Sequence, residues 1–273
     1  MFQSRPCGSK FAPMGILDGR IALVSGGGRG VGRGISELLA ANGATVAVNY
    51  TRDEAAANDT VGAIVAAGGT ARAYQAAVDD AEQDATMVAD ITADFGTIDL
   101  LVNNAGVASK GRSVVDTSPD EVLRLLAIHA VAGHHLSRLV LPAMREQGRG
   151  DIVFISSVAT RTLGANGAPY NMGKAAMEAL AFTLAKEERA HGIHVNIVAP
   201  GLVDTDMGQR LARALTGGKD IRTLDAGMPF GHVCTPAEVA DVVLWLCGDG
   251  SRYVTGQRIE CDGGGPMPGV LGR

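Results

Sequence analysis

The sequence predicts a three-layer α/β fold, a doubly wound parallel sheet of about seven strands with helices on both faces. Two observations carry this. Short apolar runs alternate with stretches of helical periodicity from Gly19 onward, joined by short connections. The first run, residues 20–25, enters a glycine-rich turn, Ser25-Gly26-Gly27-Gly28-Arg29-Gly30-Val31-Gly32, that opens directly into a helical stretch.

The elements follow in order. Residues 31–42 place Ile35, Leu38 and Leu39 on one side of a helix, and Gly43 closes it as the C′ residue. Residues 45–50 form the second strand and 53–67 the second helix, ended by Gly68-Gly69. A third strand spans 70–78, a third helix 82–95 and a fourth strand 99–103. One long, bent helix covers 119–145, with Ser118 as N-cap and Pro119 at N1. The fifth strand is 151–156, the next helix 168–191, and the sixth strand 193–198, broken by Pro200-Gly201. Residues 202–230 are less regular and read as a substrate lid. A helix at 236–246 and a strand at 257–261 complete the chain. No repeat or linker divides it, so residues 15–273 read as a single domain. Residues 1–14 contain Arg5 and Lys10 but no apolar stretch of signal-peptide type, and read as a flexible tail.

Composition narrows the function. Apolar residues make up 46% of the chain, enough for a sizeable core, while aromatics at 4% point to close packing through small side chains. The net charge is −5 with no long basic run, which argues against a nucleic-acid partner. No apolar run has the length to span a bilayer. Cys7, Cys234, Cys247 and Cys261 form no metal-ligand spacing, and His134 and His135 have no ligand partners in sequence. A reduced, cytoplasmic protein without a metal is expected.

The chemistry-bearing residues fall into two groups. In the glycine turn, Gly26, Gly30 and Gly32 allow a tight bend and close approach of backbone to a pyrophosphate, and the helix behind offers free N–H groups. A carboxylate ending the second strand would select NAD(H). Here Asn49-Tyr50-Thr51-Arg52 ends it, with Arg29 in the turn, so two guanidinium groups favour NADP(H) and leave NAD(H) as the second choice. In the second group, Tyr170 and Lys174 stand at i and i+4 on one helix face, thirteen residues beyond Ser157. A phenol with a pKa of about 10 is a poor base at neutral pH, and a neighbouring ammonium is expected to lower it. Tyr170 then exchanges a proton with a substrate oxygen that Ser157 hydrogen-bonds.

These residues resemble the short-chain dehydrogenase/reductase family over nearly the whole chain, in its 3-oxoacyl carrier-protein reductase branch. Ser25 replaces the family's usual threonine in the turn, and Asn103-Asn104-Ala105-Gly106 matches its NNAG strand end. Ser157, Tyr170 and Lys174 match its catalytic serine and YxxxK pair, and Pro200-Gly201 with Thr205 its nicotinamide-holding segment. The resemblance implies a Rossmann-type sheet and an NAD(P)(H)-dependent oxidoreductase interconverting a ketone or aldehyde and a secondary alcohol. It assigns the cofactor to Ser25, Gly26, Gly28, Arg29, Gly30, Val31 and Gly32, to Tyr50, Thr51, Arg52 and Val78, to Asn104, Ala105 and Gly106, to Tyr170 and Lys174, and to Pro200, Gly201, Val203 and Thr205. It further implies a homotetramer built on the helices at 119–145 and 168–191.

Two departures stand out. His129 occupies the place of the family's asparagine, a member of a proton relay to the lysine; it either takes over the relay or props the helix bend. After the third strand, Ala77-Val78-Asp79 replaces the family's Asp-Val, which leaves the side-chain contact to adenine open. Met207, Leu211, Leu215, Met228 and Phe230 give the lid an apolar lining and favour an apolar small-molecule carbonyl or alcohol as substrate. Arg145 and Arg149 are candidates for docking an acidic carrier protein. Competing readings are a sugar, steroid or xenobiotic alcohol dehydrogenase, a nucleotide-binding regulatory protein without turnover, and a non-redox enzyme such as a dehydratase.

Overall fold

The computed structural model describes residues 15–265. The tail expected at 1–14 and the last residues of the expected domain, 266–273, lie outside the described residues. Seven parallel strands form one sheet in the order β3-β2-β1-β4-β5-β6-β7. They are β1 (Ile21–Val24), β2 (Thr45–Tyr50), β3 (Thr70–Gln75), β4 (Leu100–Asn103), β5 (Gly150–Ile155), β6 (Ile193–Pro200) and β7 (Arg258–Cys261).

Alternation along the buried strands assigns the two faces. On one, Leu23, Ala47, Leu101, Ile152, Phe154 and Val195 pack against α3 (Ala81–Phe95), α5 (Ala132–Gln147) and α7 (Ala168–Glu188). On the other, Ala22, Val24, Val46, Val48, Val102 and Val153 pack against α1 (Gly30–Ala41), α2 (Glu54–Ala66) and α9 (Pro236–Cys247). The strand order reverses between β1 and β4, the place where doubly wound sheets open a crevice at their carboxyl ends.

Three local findings differ from the sequence reading. The third strand stops at Gln75; residues 76–80 lead to α3, which Asp80 caps by accepting hydrogen bonds from Glu82 N and Gln83 N. The long helix is divided into α4 (Pro119–Leu126), a π-turn (Ala127–Val131) and α5, so its bend is a wide turn with His129 at its centre. Beyond β5 lies a short helix absent from the sequence reading, α6 (Ala159–Thr162). The lid contains α8 (Asp206–Thr216) and a 3₁₀ turn (Ile221–Gly227), and holds its own small core of Leu202, Ala212, Ile221, Leu224, Met228 and Val233. Met228 therefore packs inside the lid, while Leu211, Leu215 and Phe230 stay exposed. Among the described residues, no helix is long and apolar enough to cross a membrane.

An arginine, two aspartates and a histidine close the amino edge of the sheet. Arg20 Nε donates to Asp99 Oδ1 at 2.7 Å and Nη2 to Asp151 Oδ2 at 2.8 Å, all three being buried. His194 Nδ1 lies 3.1 Å from Asp151 Oδ1. The clasp joins the starts of β1, β4, β5 and β6.

Candidate active site

The site forms at the carboxyl edge. Gly26 and Gly30 have φ of 61° and 54°, left-handed values that favour glycine. Buried Asn49 fastens the turn to β2: its Oδ1 accepts from Gly26 N at 3.1 Å, its carbonyl accepts from Gly27 N at 3.0 Å, and its Nδ2 donates to Ala76 O at 3.1 Å. Ser25 Oγ accepts from Asn104 N at 2.9 Å and Ala105 N at 3.0 Å and donates to Val102 O at 3.3 Å. Asn104 Nδ2 returns bonds to the carbonyls of Ser25 and Gly26, at 2.9 and 3.2 Å. The buried Ser25 hydroxyl is thus spent inside the protein, where it ties the turn to the β4 exit.

The cradle suits a dinucleotide. Arg29, the N-cap of α1, makes no side-chain capping bond, so the helix presents uncapped amides at the turn. Gly28 is small for a different reason: a Cβ there would come 2.8 Å from Ala57 Cα, where α2 packs on the turn. A Cβ on Gly30 would come 3.3 Å from Thr205 Cγ2, and one on Gly106 3.6 Å from Lys174 Nζ. The turn, the β4 exit, α7 and the Pro200–Thr205 segment therefore border one groove. Val31 and Gly32 begin α1 behind the turn, and Val203 forms a bridge with Cys234 at the foot of the lid. Tyr50 is half-buried; Thr51 Oγ1 donates to Ala76 O at 3.2 Å, and Arg52 is exposed. Arg29 is exposed too, with Nη1 4.0 Å from Asp53 Oδ2, while Asp53 Oδ1 caps α2 by accepting from Ala56 N. Val78 is buried beyond the end of β3.

Ser157, Tyr170 and Lys174 come together under this groove. Lys174 is buried, donates to Ile155 O at 2.6 Å, and has Nζ 5.9 Å from the Tyr170 ring centre. Burial pushes its pKa down to about 8, against the opposing pull of Glu178 one turn further along α7. The expected lowering of the Tyr170 pKa is not found. Burial raises it, with only the hydrogen bond to Ser157 acting the other way, and the ammonium is already engaged by the Ile155 carbonyl.

His129 meets Tyr170 edge-on, with ring centres 5.3 Å apart. Its Nε2 lies 2.9 Å from Val107 O, which joins the π-turn to the β4 exit. Burial first, and Lys174 second, push its pKa down to about 3, so the ring is neutral. Gly173 of α7 makes room for it: a Cβ there would sit 3.0 Å from His129 Cδ2.

Other candidates fall elsewhere. Arg145 donates twice to Glu188, at 2.8 and 2.6 Å, and with Arg149 precedes β5 at the amino edge, so neither arginine can greet a carrier at the site mouth. His135 Nδ1 stands 4.0 Å from Asp84 Oδ2, and burial, then Asp80 and Asp79, raise the Asp84 pKa to about 7. No group of three or more metal-ligating side chains occurs among the described residues. Cys234 and Cys261, far apart in sequence, have sulfurs 4.0 Å apart. Asn49, Glu178 and Arg258 are supports of the site that the sequence reading missed. Glu178 carried a signal, its i+4 spacing from Lys174; Arg258 carried none.

Comparison with known proteins agrees with this geometry. A family model described as enoyl-(acyl carrier protein) reductase matches residues 26–265. An oxidoreductase of Methylorubrum extorquens, itself uncharacterised, is 37% identical over 92% of this chain and 99% of its own length. A 3-oxoacyl-[acyl-carrier-protein] reductase of Salmonella typhimurium is 34% identical over 91% of this chain and 98% of its own. A 7α-hydroxysteroid dehydrogenase, solved with NADH and 7-oxo glycochenodeoxycholic acid, superposes with a TM-score of 0.84 at 28% identity, covering 95% of this chain and 99% of the other. The fold and the relatives define a Rossmann-fold oxidoreductase. The chain belongs to the short-chain dehydrogenase/reductase family and resembles its 3-oxoacyl carrier-protein reductase branch.

Proposed function

We propose that the chain is an NADP(H)-dependent oxidoreductase interconverting a ketone or aldehyde with a secondary alcohol, with Tyr170 as general acid and base. The observation that supports it most is the placement of Tyr170, Lys174 and Ser157 beside a cradle built for a dinucleotide. The nicotinamide, when bound, supplies the hydride in reduction and takes it in oxidation.

The chain's own residues handle the oxygen and the proton. In reduction the Ser157 hydroxyl donates a hydrogen bond to the carbonyl oxygen and stabilises the negative charge growing there. The Tyr170 phenol, held protonated by burial, gives its proton to that oxygen. Lys174, with its pKa near 8, carries its charge at neutral pH and, anchored on Ile155 O beside the groove, is the residue that would hold the ribose hydroxyls of the cofactor. In oxidation the phenolate takes the proton back. His129 is too weak a base to store or carry that proton; its part is to brace the helix bend behind Tyr170 through the bond of Nε2 to Val107 O.

NADP(H) is preferred because exposed Arg29 and Arg52 flank the end of β2, the strand itself ends without a carboxylate, and the nearest one, Asp53, caps α2 and faces Arg29. Exposed Leu211, Leu215 and Phe230 on the lid suit an apolar substrate, and the 3-oxoacyl reductase relative makes an acyl ketone the first choice. Exposed Leu123, Val131 and Met172 on α4, the π-turn and α7 suit a homotetramer. Free Cys234, Cys247 and Cys261 suit a cytoplasmic setting.

The test is consumption of NADPH, and separately of NADH, by the purified chain with acyl, steroid, sugar and simple aryl ketones. Ketone-dependent NADPH consumption supports the reading and orders the substrates. Cofactor binding without turnover of any ketone returns the chain to the regulatory class.

A further inference from the structure

Arg258 stands on β7, two strands away from β5, yet its guanidinium reaches the peptide of the site serine. Nε donates to Glu178 Oε1 at 3.0 Å, and Nη2 donates to Ser157 O at 3.1 Å and Thr160 Oγ1 at 2.9 Å. Nη1 donates to Glu260. Glu178 Oε1 also accepts from the hydroxyls of Ser156 and Thr160, the latter at 2.9 Å. The end of β5 is therefore held twice, by the Ser156 hydroxyl on Glu178 and by the Ser157 carbonyl on Arg258. Glu178 in turn belongs to the turn of α7 that follows Lys174.

Apart from Glu260 on its own strand, the acceptors around this guanidinium sit on segments that carry or adjoin the site: the β5 exit with Ser157, α6 and α7. A planar fork with five donors can bridge such a set, whereas an ammonium is a point charge. The Arg258 side chain is 16% exposed, so water competes little for these bonds. Arg161 offers a contrast. Its Nη1 meets both oxygens of Glu260 at 2.8 Å and the side chain is 74% exposed, with no bond to Ser157 or Glu178.

We propose that Arg258 is a positioning residue for the reaction assigned above. It fixes the Ser157 peptide and the Lys174–Glu178 turn of α7 relative to each other, so that hydroxyl, phenol and ammonium address one substrate oxygen. The proposal rests on the oxidoreductase reading.

The test measures kcat and KM with NADPH and the best ketone of the panel, NADPH affinity, and the thermal midpoint. The variants are Arg258→Met, Arg258→Lys and Arg161→Met. Misplacing reacting groups by an ångström can cost about a hundredfold in rate, so Arg258→Met should lose on the order of 10- to 100-fold in kcat. KM and NADPH affinity should stay within about twofold, because the glycine turn and lid are untouched. Arg258→Lys keeps charge and stem and should fold even where Met does not; it should recover only part of kcat, because it lacks the fork. Arg161→Met should keep wild-type kcat. Wild-type kcat in a folded Arg258→Met or Arg258→Lys protein, or equal kcat losses in Arg258→Met and Arg161→Met, overturns the proposal alone. A wild type that turns over no ketone overturns the oxidoreductase reading and this proposal with it.

Discussion

His129 Nε2 lies 2.9 Å from the carbonyl oxygen of Val107, and that contact decides the state of the ring. A carbonyl only accepts, so Nε2 carries the proton. Nδ1 is then an acceptor, buried and without a protein partner. His129→Gln, whose amide N reaches the place of Nε2, can renew the bond to Val107 and should keep kcat within about tenfold, whereas His129→Ala loses both bond and packing and should cost about 2 kcal/mol or more. The sign of the pH effect follows from the lowered pKa. Between about 3 and 6.5 the unfolded chain binds a proton that the folded ring refuses, so stability falls as pH falls through that window. Urea midpoints at neutral pH and near pH 5 should diverge more for wild type than for His129→Gln.

Arg29 and Arg52 address cofactor choice. Replacing both with Ala should raise the NADPH dissociation constant about tenfold or more, in line with loss of charge-assisted phosphate contacts, and change that for NADH little. Fluorescence titration with each cofactor reads the difference. Equal weakening of both would remove the argument for NADP(H).

The clasp at the amino edge should behave oppositely to His129 in pH. The hydrogen bond to Asp151 raises the His194 pKa, with burial acting against it. Its stabilising effect is fully present below the unfolded pKa and is lost as pH rises through the folded one. His194→Gln should flatten the stability profile on that side. Arg20→Met leaves Asp99 and Asp151 buried without their cation and should cost about 3–5 kcal/mol, seen as a large drop in thermal midpoint.

The strand and helix order was legible because the core is built of runs such as Ile21–Val24 and Gly150–Ile155, buried over nearly their whole length and mostly apolar. The turn and the Tyr170–Lys174 pair were legible because their spacing is local. What was hidden is set by contacts between distant segments. The π-turn is joined to the β4 exit by a bond from His129 to Val107, 22 residues away. The inward Met228 depends on the lid folding on itself. Arg258 lies 101 residues from the serine it holds, and Asn49 fastens a turn 23 residues upstream. The rise in the Tyr170 pKa likewise reflects three-dimensional burial, where the i+4 lysine had suggested a fall. Arg145 is engaged by Glu188, 43 residues away, a pairing that local spacing does not reveal.

The most direct test of the central claim is the Tyr170→Phe variant, assayed for ketone-dependent NADPH consumption beside a fluorescence titration with NADPH. The account predicts turnover reduced to background with NADPH affinity nearly unchanged, since only the proton donor to the substrate oxygen is removed. Turnover at the wild-type rate would contradict it.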